Sequence, residues 1–534
     1  MGASFNLGEG PRTCFMTWKE SKMPLSGHWY TRFAHCAASV IRHAALIVGG
    51  CAGPLLGFAA CSDEAVSAVP EARPVAIAEA ASLPQWLREA LNRLPANVRD
   101  NFAAIDTLEI NRSRGADPWT GDELLLLARF RNLKQLLISG SIAPTALDRL
   151  KEAGCIERMT IYSAVTDSDL KALAGLPCLK SIMIRNTRQI TQTGTKYLSE
   201  SKTLEKIEIP YAYNPDVALV RPLGDMKGLK LLRLYTVSPV TEAKVAVIAK
   251  LKGPAALDLC LGEFLPGEPP DRLLAPLRGK ANIEGFSIHW EWPRKDDKDP
   301  ALAIIETLTN LKRLDLQNTN VNDADLARLA VLVNLRELNL ARTGITDAGL
   351  AHLRPLVYIQ KLDLHDARLT DASRTVLRNM TEMKELNLFN AGVGDATVGV
   401  LGGLQRLESL ELGGNAVSAT GLAHLAALKN LKYLGLSECG RVNDQALIPV
   451  GKITSLEELR LAYLMPHPSV TDKGIRLLAG LKNLRKLNLV NCSVERKAVM
   501  DILKEIKGLE VTFTGDKPFQ EYETLIVGAE DRRP

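Results

Sequence analysis

The chain has 534 residues, with 66 basic against 61 acidic side chains and a formal net charge of +5. That balance argues against nucleic acid, which needs a concentrated basic face, and aromatics at 5% supply no stacking platform. The hydrophobic fraction of 46% is ordinary for a globular chain.

In chain order, the first marked element is AALIVGGCAGPLLGFAA, Ala44 to Ala60, which carries no charge. Arg42 and His43 precede it, and Cys61 followed by SDEA ends it. A positive flank, an apolar run too short to span comfortably and small residues before a cysteine describe an export signal. The ending FAAC resembles a bacterial lipobox, although Phe58 stands where that family prefers Leu. The resemblance implies that Cys61 is lipidated and becomes the first mature residue, anchored in the periplasm or at the cell surface. The stretch before the apolar run is long for such a signal, and a start at Val40 (a GTG codon) would leave VIRH and an ordinary length. Residues 1–61 are read as this export segment; a single membrane anchor or a buried hairpin in a cytoplasmic chain is the alternative.

Residues 62–81, SDEAVSAVPEARPVAIAEAA, are Ala-, Pro- and Glu-rich without periodicity, as a tether would be. LPQWLREALNRLP at 83–95 reads as an amphipathic cap helix within 82–103, with Leu83, Leu87, Leu91 and Leu94 covering the next element. The same dozen residues resemble the opening of an F-box, which would imply an adaptor for ubiquitin ligation.

A repeat fills most of the chain from residue 104 onward. Decayed units begin at Leu133, Ile156, Leu179, Leu204 and Leu229, within 104–254. The register blurs over 255–310, where PGEPP (266–270) and WEWPRKDDKDP (290–300) read as loops on irregular units. From Leu311 to about 515 the period is plain: 24-residue units start at Leu311, Leu335, Ile359, Met383 and Leu407, and three more at Leu431, Leu456 and Leu484. Residues 516–534 form a tail. Each unit opens LxxLxL, whose alternation predicts a half-buried strand. A helix is expected after a turn, with Leu350, Leu353 and Leu356 on one face and Thr346 and Asp347 at its N-cap. No unit can bury its own leucines, so the units must stack.

This pattern resembles the leucine-rich-repeat family, and the TDAGLxxL form is similar to bacterial repeats of the ribonuclease-inhibitor-like kind. The resemblance implies an α/β solenoid, a horseshoe with parallel strands on the concave face and helices on the convex face. The family's usual Asn/Cys position is Thr319, Thr343, Ala367, Ala391, Asn415, Cys439 and Cys492 here, a departure from a strict asparagine ladder. Cys155 and Cys178 occupy equivalent places in neighbouring units; stacking puts them within disulfide range, but they are read here as two small buried hydrophobes.

The strand register also predicts the outward columns. The first runs Arg313, Glu337, Lys361, Glu385, Ser409, Tyr433, Glu458, Lys486, whose alternating signs are self-neutralising. The second runs Asp315, Asn339, Asp363, Asn387, Glu411, Gly435, Arg460, Asn488, and the third Gln317, Ala341, His365, Phe389, Gly413, Ser437, Ala462, Val490. One reading has these charges satisfy one another on a face that binds nothing. The other makes His365, Phe389 and Tyr433 an aromatic patch rimmed by Asp363, Asn387 and Glu411, with small neighbours leaving room beside Phe389 for a partner side chain. Trp290, Trp292 and the LMPHP insertion at 464–468 are second candidates.

Chemistry finds little support. No GxxxxGK[ST], GxSxG, HExxH or CxxC occurs. His352 and His424 sit three units apart, at least ~14 Å by strand spacing, too far to share a metal. The carboxylates are expected on the solvated surface, none desolvated. The sequence therefore reads as a non-catalytic scaffold without cofactor or metal, binding a protein or peptide, and touching a membrane only through Cys61. The F-box-like adaptor and a structural spacer are the alternatives.

Overall fold

The computed structural model describes residues 83–94, 104–113, 115–153, 155–210, 218–236, 240–262, 269–288, 301–464, 470–514 and 523–526. Cys61, Trp290, Trp292 and residues 465–468 of the LMPHP insertion lie outside them.

The LxxLxL segments form one eighteen-stranded sheet. Its degenerate half comprises β1 (Thr107–Ile110), β2 (Gln135–Ile138), β3 (Arg158–Thr166), β4 (Ser181–Gln189), β5 (Lys206–Pro210), β6 (Leu231–Thr236), β7 (Ala256–Leu261) and β8 (Ile283–Ile288). The regular half comprises β9 (Arg313–Asp315), β10 (Glu337–Asn339), β11 (Lys361–Asp363), β12 (Glu385–Asn387), β13 (Ser409–Glu411), β14 (Tyr433–Gly435), β15 (Glu458–Arg460), β16 (Lys486–Leu489) and β17 (Glu510–Phe513). Each of these pairs in parallel with the next in chain order. β18 (Glu523–Ile526) then closes the edge antiparallel to β17. This is the leucine-rich-repeat solenoid expected from the period.

The register matches the columns read from the sequence, Arg313 opposite Glu337, Lys361, Glu385, Ser409, Tyr433, Glu458 and Lys486 in turn. Between outward positions the leucines stack inward: Leu314, Leu338, Leu362, Leu386, Leu410, Leu434, Leu459 and Leu487 are all at most 2% exposed. Each such burial contributes about 1.5–3 kcal/mol. The irregular region 255–310 keeps this core, for Leu257, Leu259, Ile283, Phe286, Ile304 and Ile305 are buried in the same cluster.

The return segments are shorter than expected. The helix predicted over 347–356 is an α-turn, Asp347–Leu350, followed by a 3-10 turn, Ala351–Leu353. Its leucines 350, 353 and 356 are nevertheless fully buried, because one turn suffices to cross each layer.

The TDxG signature has a mechanism that crosses units. Thr346 caps its own helix by accepting from the Ala348 N–H at 3.2 Å. The following Asp points instead to the next unit. Asp323 accepts from the Thr346 N–H at 2.8 Å and its hydroxyl at 2.5 Å; Asp347 does the same for Thr370, Asp395 for Ser418, Asp444 for Thr471 and Asp167 for Thr191. Except after Asp347, where Ser373 stands, a glycine in the next unit makes room: a Cβ at Gly194, Gly349 or Gly474 would overlap the carboxylate of Asp167, Asp323 or Asp444. Where the Asp is replaced by Ala419, the next unit carries Ala446 in place of the glycine.

At the amino end the helix Gln85–Asn92 buries Leu87, Ala90 and Leu91 and packs on β1. The Trp86 ring stands edge-on to Trp119 at 4.8 Å, and the Arg112 guanidinium lies 4.1 Å from the Trp119 centroid. No helix among the described residues is long and apolar enough to cross a membrane.

Candidate binding face

The outward positions of the regular half are occupied largely by the fold itself. Six of the strands in this half end where a second-column side chain captures the backbone N–H two residues on. Asp315, Asn339, Asp363, Asn387 and Asn488 accept from Gln317, Ala341, His365, Phe389 and Val490 at 3.0–3.1 Å, and Glu411 accepts from Gly413 at 2.9 Å. Beyond these captured N–H groups the chain turns through left-handed backbone, as at Asn318, Asp366, Asn390 and Asn491, with φ between 57 and 60° at three of them and 49° at Asn390.

The six proposed contact residues of this half lie on consecutive strands and are mutually engaged. Asn387 donates to the far oxygen of Asp363 at 3.1 Å. His365 Nδ1 lies 3.0 Å from the near oxygen of Asp363. The Tyr433 hydroxyl donates to Glu411, and burial together with that carboxylate pushes the phenol well above its ordinary pKa. Arg460 covers the Tyr433 ring at 5.2 Å. The space expected beside Phe389 is filled by Phe389: a Cβ on Gly413 would meet its ring carbons at 2.6 and 2.7 Å. The glycine leaves the ring its place, and Phe389 is half-buried there. The self-neutralising first column is realised in part. Lys361 pairs with Glu385 at 2.7 Å, while Arg313 turns the other way.

Arg313 reaches across β8 to Asp258 in a charge cluster that the sequence reading did not find. Glu208, Arg233, Asp258, Gly285 and Arg313 are register neighbours on five consecutive strands. Arg233 bridges Asp258 and Glu208, the latter at 3.1 Å, and Lys206 joins Glu208 at 2.6 Å. Tyr235 donates its hydroxyl to Glu208 at 3.2 Å. A Cβ at Gly285 would overlap the Asp258 carboxylate, so the glycine opens the path to Arg313. The Glu208 and Asp258 side chains are 3% and 5% exposed, which corrects the expectation that every carboxylate is solvated. Burial raises the Glu208 carboxyl, but Arg233 and Lys206 outweigh it and leave its pKa below the ordinary value. Burial and Glu208 push Tyr235 up to about 12, against the pull of Arg233.

The cysteines divide into two kinds. Cys155 and Cys178 form a disulfide, with Cα atoms 5.2 Å apart. Cys155 is exposed and Cys178 half-buried, so the buried-hydrophobe reading does not hold. Cys439 and Cys492 instead take the asparagine-ladder position, donating to the Leu412 and Leu461 carbonyls at 3.2 and 3.1 Å. Asn415 fills that position with five hydrogen bonds, including 2.6 Å to Leu388 O and 2.9 Å from Gly392 N. Burial holds the thiols of Cys439 and Cys492 up to about 12, and burial with Asp258 holds Cys260 up to about 11. None is a ready nucleophile at neutral pH. No three His, Cys, Asp or Glu among the described residues converge as a metal site.

A family model described as "Leucine Rich repeat" matches residues 331–353, within the unit whose strand is β10. These are leucine-rich repeats. Among solved structures, the leucine-rich-repeat chain is similar to an internalin (inlF) of Listeria monocytogenes, with 19% identity over 66% of this chain and 94% of that one, and a TM-score of 0.34. It is similar to internalin C2 of the same organism, with 28% identity over 39% of this chain and 83% of that one, TM-score 0.32. A complex of TLR13 with ssRNA13 matches at 18% identity over 73% of this chain and 59% of that one, TM-score 0.39. No curated protein matches the chain.

Proposed function

We propose that the chain is a non-catalytic interaction scaffold that receives a protein or peptide on its concave sheet face and is held at a bacterial envelope by a lipid on Cys61. The observation that carries the binding role is the face itself, an open row of outward side chains on consecutive parallel strands. On the regular half His365, Phe389 and Tyr433 are the proposed contacts, with Asp363, Asn387 and Glu411 holding them in place.

The disulfide supports the envelope location. Such bonds persist in oxidising compartments and are rare in the cytosol, and the 5.2 Å Cα separation of Cys155 and Cys178 is ordinary for one. Mass spectrometry of the amino-terminal peptide from fractionated native cells tests the anchor. A diacylated or triacylated Cys61 in the membrane fraction is expected; an unprocessed chain in the cytosol removes the envelope from the reading.

A further inference from the structure

The two halves present opposite surfaces to a ligand. On β10–β13 the outward positions of the first two columns carry Glu337, Asp363, Glu385 and Glu411 against one cation, Lys361. On β3–β6 the balance reverses: Arg158, Arg185, Lys206 and Arg233 face outward against one carboxylate, Glu208. That carboxylate is already shared by Lys206, Arg233 and Tyr235. Arg233 is also committed to Asp258. Arg158 and Arg185 are exposed. Arg158 Nε donates to Gln135 at 3.0 Å, a neutral partner, and Arg185 lies 5.8 Å over the Tyr235 ring with no carboxylate partner among the described residues.

The floor between these cations is apolar where the regular half is polar. Leu137, Met183 and Leu231 stand half-buried at outward positions, and Tyr162 is 45% exposed beside them. None of these side chains captures a backbone N–H as the asparagines and aspartates of the regular half do. β3 and β4 run on for nine residues each, against three in β10 to β15. The degenerate units have thus given up a strand-ending device and carry aromatic and cationic groups in its place.

We propose that the concave face of β3–β6 docks an acidic peptide segment of a partner protein, its apolar side chains seated among Tyr162, Met183 and Leu231 and its carboxylates on Arg158 and Arg185. This rests on the scaffold reading above and names the partner's chemistry. Crossing from β3 to β6 takes three strand spacings, ~14 Å, which four or five extended residues span at ~3.3 Å each. Apolar floor plus guanidinium rim is the anatomy of a protein-binding patch. A duplex would find here only a few cations around an apolar surface, a poor match to a phosphate backbone.

The test uses the full oxidised chain and three short labelled peptides that share their leucines and tyrosine and carry Glu, Gln or Lys at the other positions. Fluorescence anisotropy is expected to rank Glu above Gln by about tenfold and Lys last, with the preference weakening in salt. The double substitution Arg158→Glu and Arg185→Glu should reverse that order. Its unchanged circular-dichroism melt shows that the fold persists, and Val333→Ala, at an exposed position of the regular half, should leave the order intact. Equal binding of the three peptides, a preference that survives the reversal, or competition by a DNA oligonucleotide of matched charge as strong as the Glu peptide overturns the proposal. Should the peptides fail while a native partner still depends on Phe389 or Tyr433, the scaffold reading stands and this surface falls.

Discussion

Between Arg313 and Asn488 the units repeat closely, and their polar outward side chains end strands, pair across them and tie one unit to the next. Between Arg158 and Ile288 the units have decayed, the strands are longer, and the same columns hold tyrosines, arginines and a buried charge cluster. The difference separates what a solenoid needs from what this chain adds. A consensus residue such as Asp363 is occupied twice over, by the His365 N–H and by Asn387, and has little left for a ligand. A departure from consensus such as Arg185 has no such duty.

The comparison can be strained hardest at Asp258. Asp258→Ala leaves Arg233 and Arg313 without the carboxylate they share, and loss of one partner of a buried ion cluster costs about 3–5 kcal/mol. Hydrogen exchange should show the opening confined to β5–β9, with β12–β16 protected as before; uniform loss of protection would mean that the halves do not differ. Next is the disulfide. Cys155→Ser opens a crosslink of 23-residue separation, worth about 3 kcal/mol in a loop of that length, and a reductant should lower the denaturation midpoint of the wild type but not of the variant.

Smaller effects sharpen the account of the ladder. Gly474→Ala forces a Cβ into the Asp444 carboxylate, at a cost of about 1–3 kcal/mol. Adding Asp444→Ala should recover part of that loss in a denaturant titration, reproducing the natural pair Ala419 and Ala446. Failure to recover would show that the glycine serves backbone conformation rather than space. The smallest effect is in acid. Glu208 has a folded pKa below its ordinary 4.5, so its stabilisation is complete above that value and is lost as pH falls through the lower folded pKa. Glu208→Gln should flatten that part of the acid-unfolding curve.

How far the sequence could be read depends on the range of each interaction. The leucine period and outward columns were legible because they depend on local alternation and a constant unit length. Thr346 was legible as a cap because its partner is two residues away. The role of Asp347 was not, since it bonds Thr370 in the next unit; the clue was that Gly194, Gly349, Gly421 and Gly474 each stand one unit after an Asp, although Ser373 takes that place after Asp347. The Glu208 cluster was missed because the columns were read only from Leu311 onward. Glu208, Arg233 and Asp258 stand in the second column of their own units and meet the first-column Arg313 through the register shift between Leu257 and Asp258, which unit length does not encode. Phe389 was placed correctly on its face, but the orientation of its ring over Gly413 depends on packing that spacing does not encode.

The division of labour between the halves is tested most directly by photo-crosslinking in native cells, with a benzophenone amino acid in place of Tyr162 or of Asn339. A discrete adduct from position 162, absent at position 339 and lost on adding Arg158→Glu and Arg185→Glu, is the predicted result. Adducts from position 339 with none from position 162 would leave β3–β6 without a partner and contradict the account.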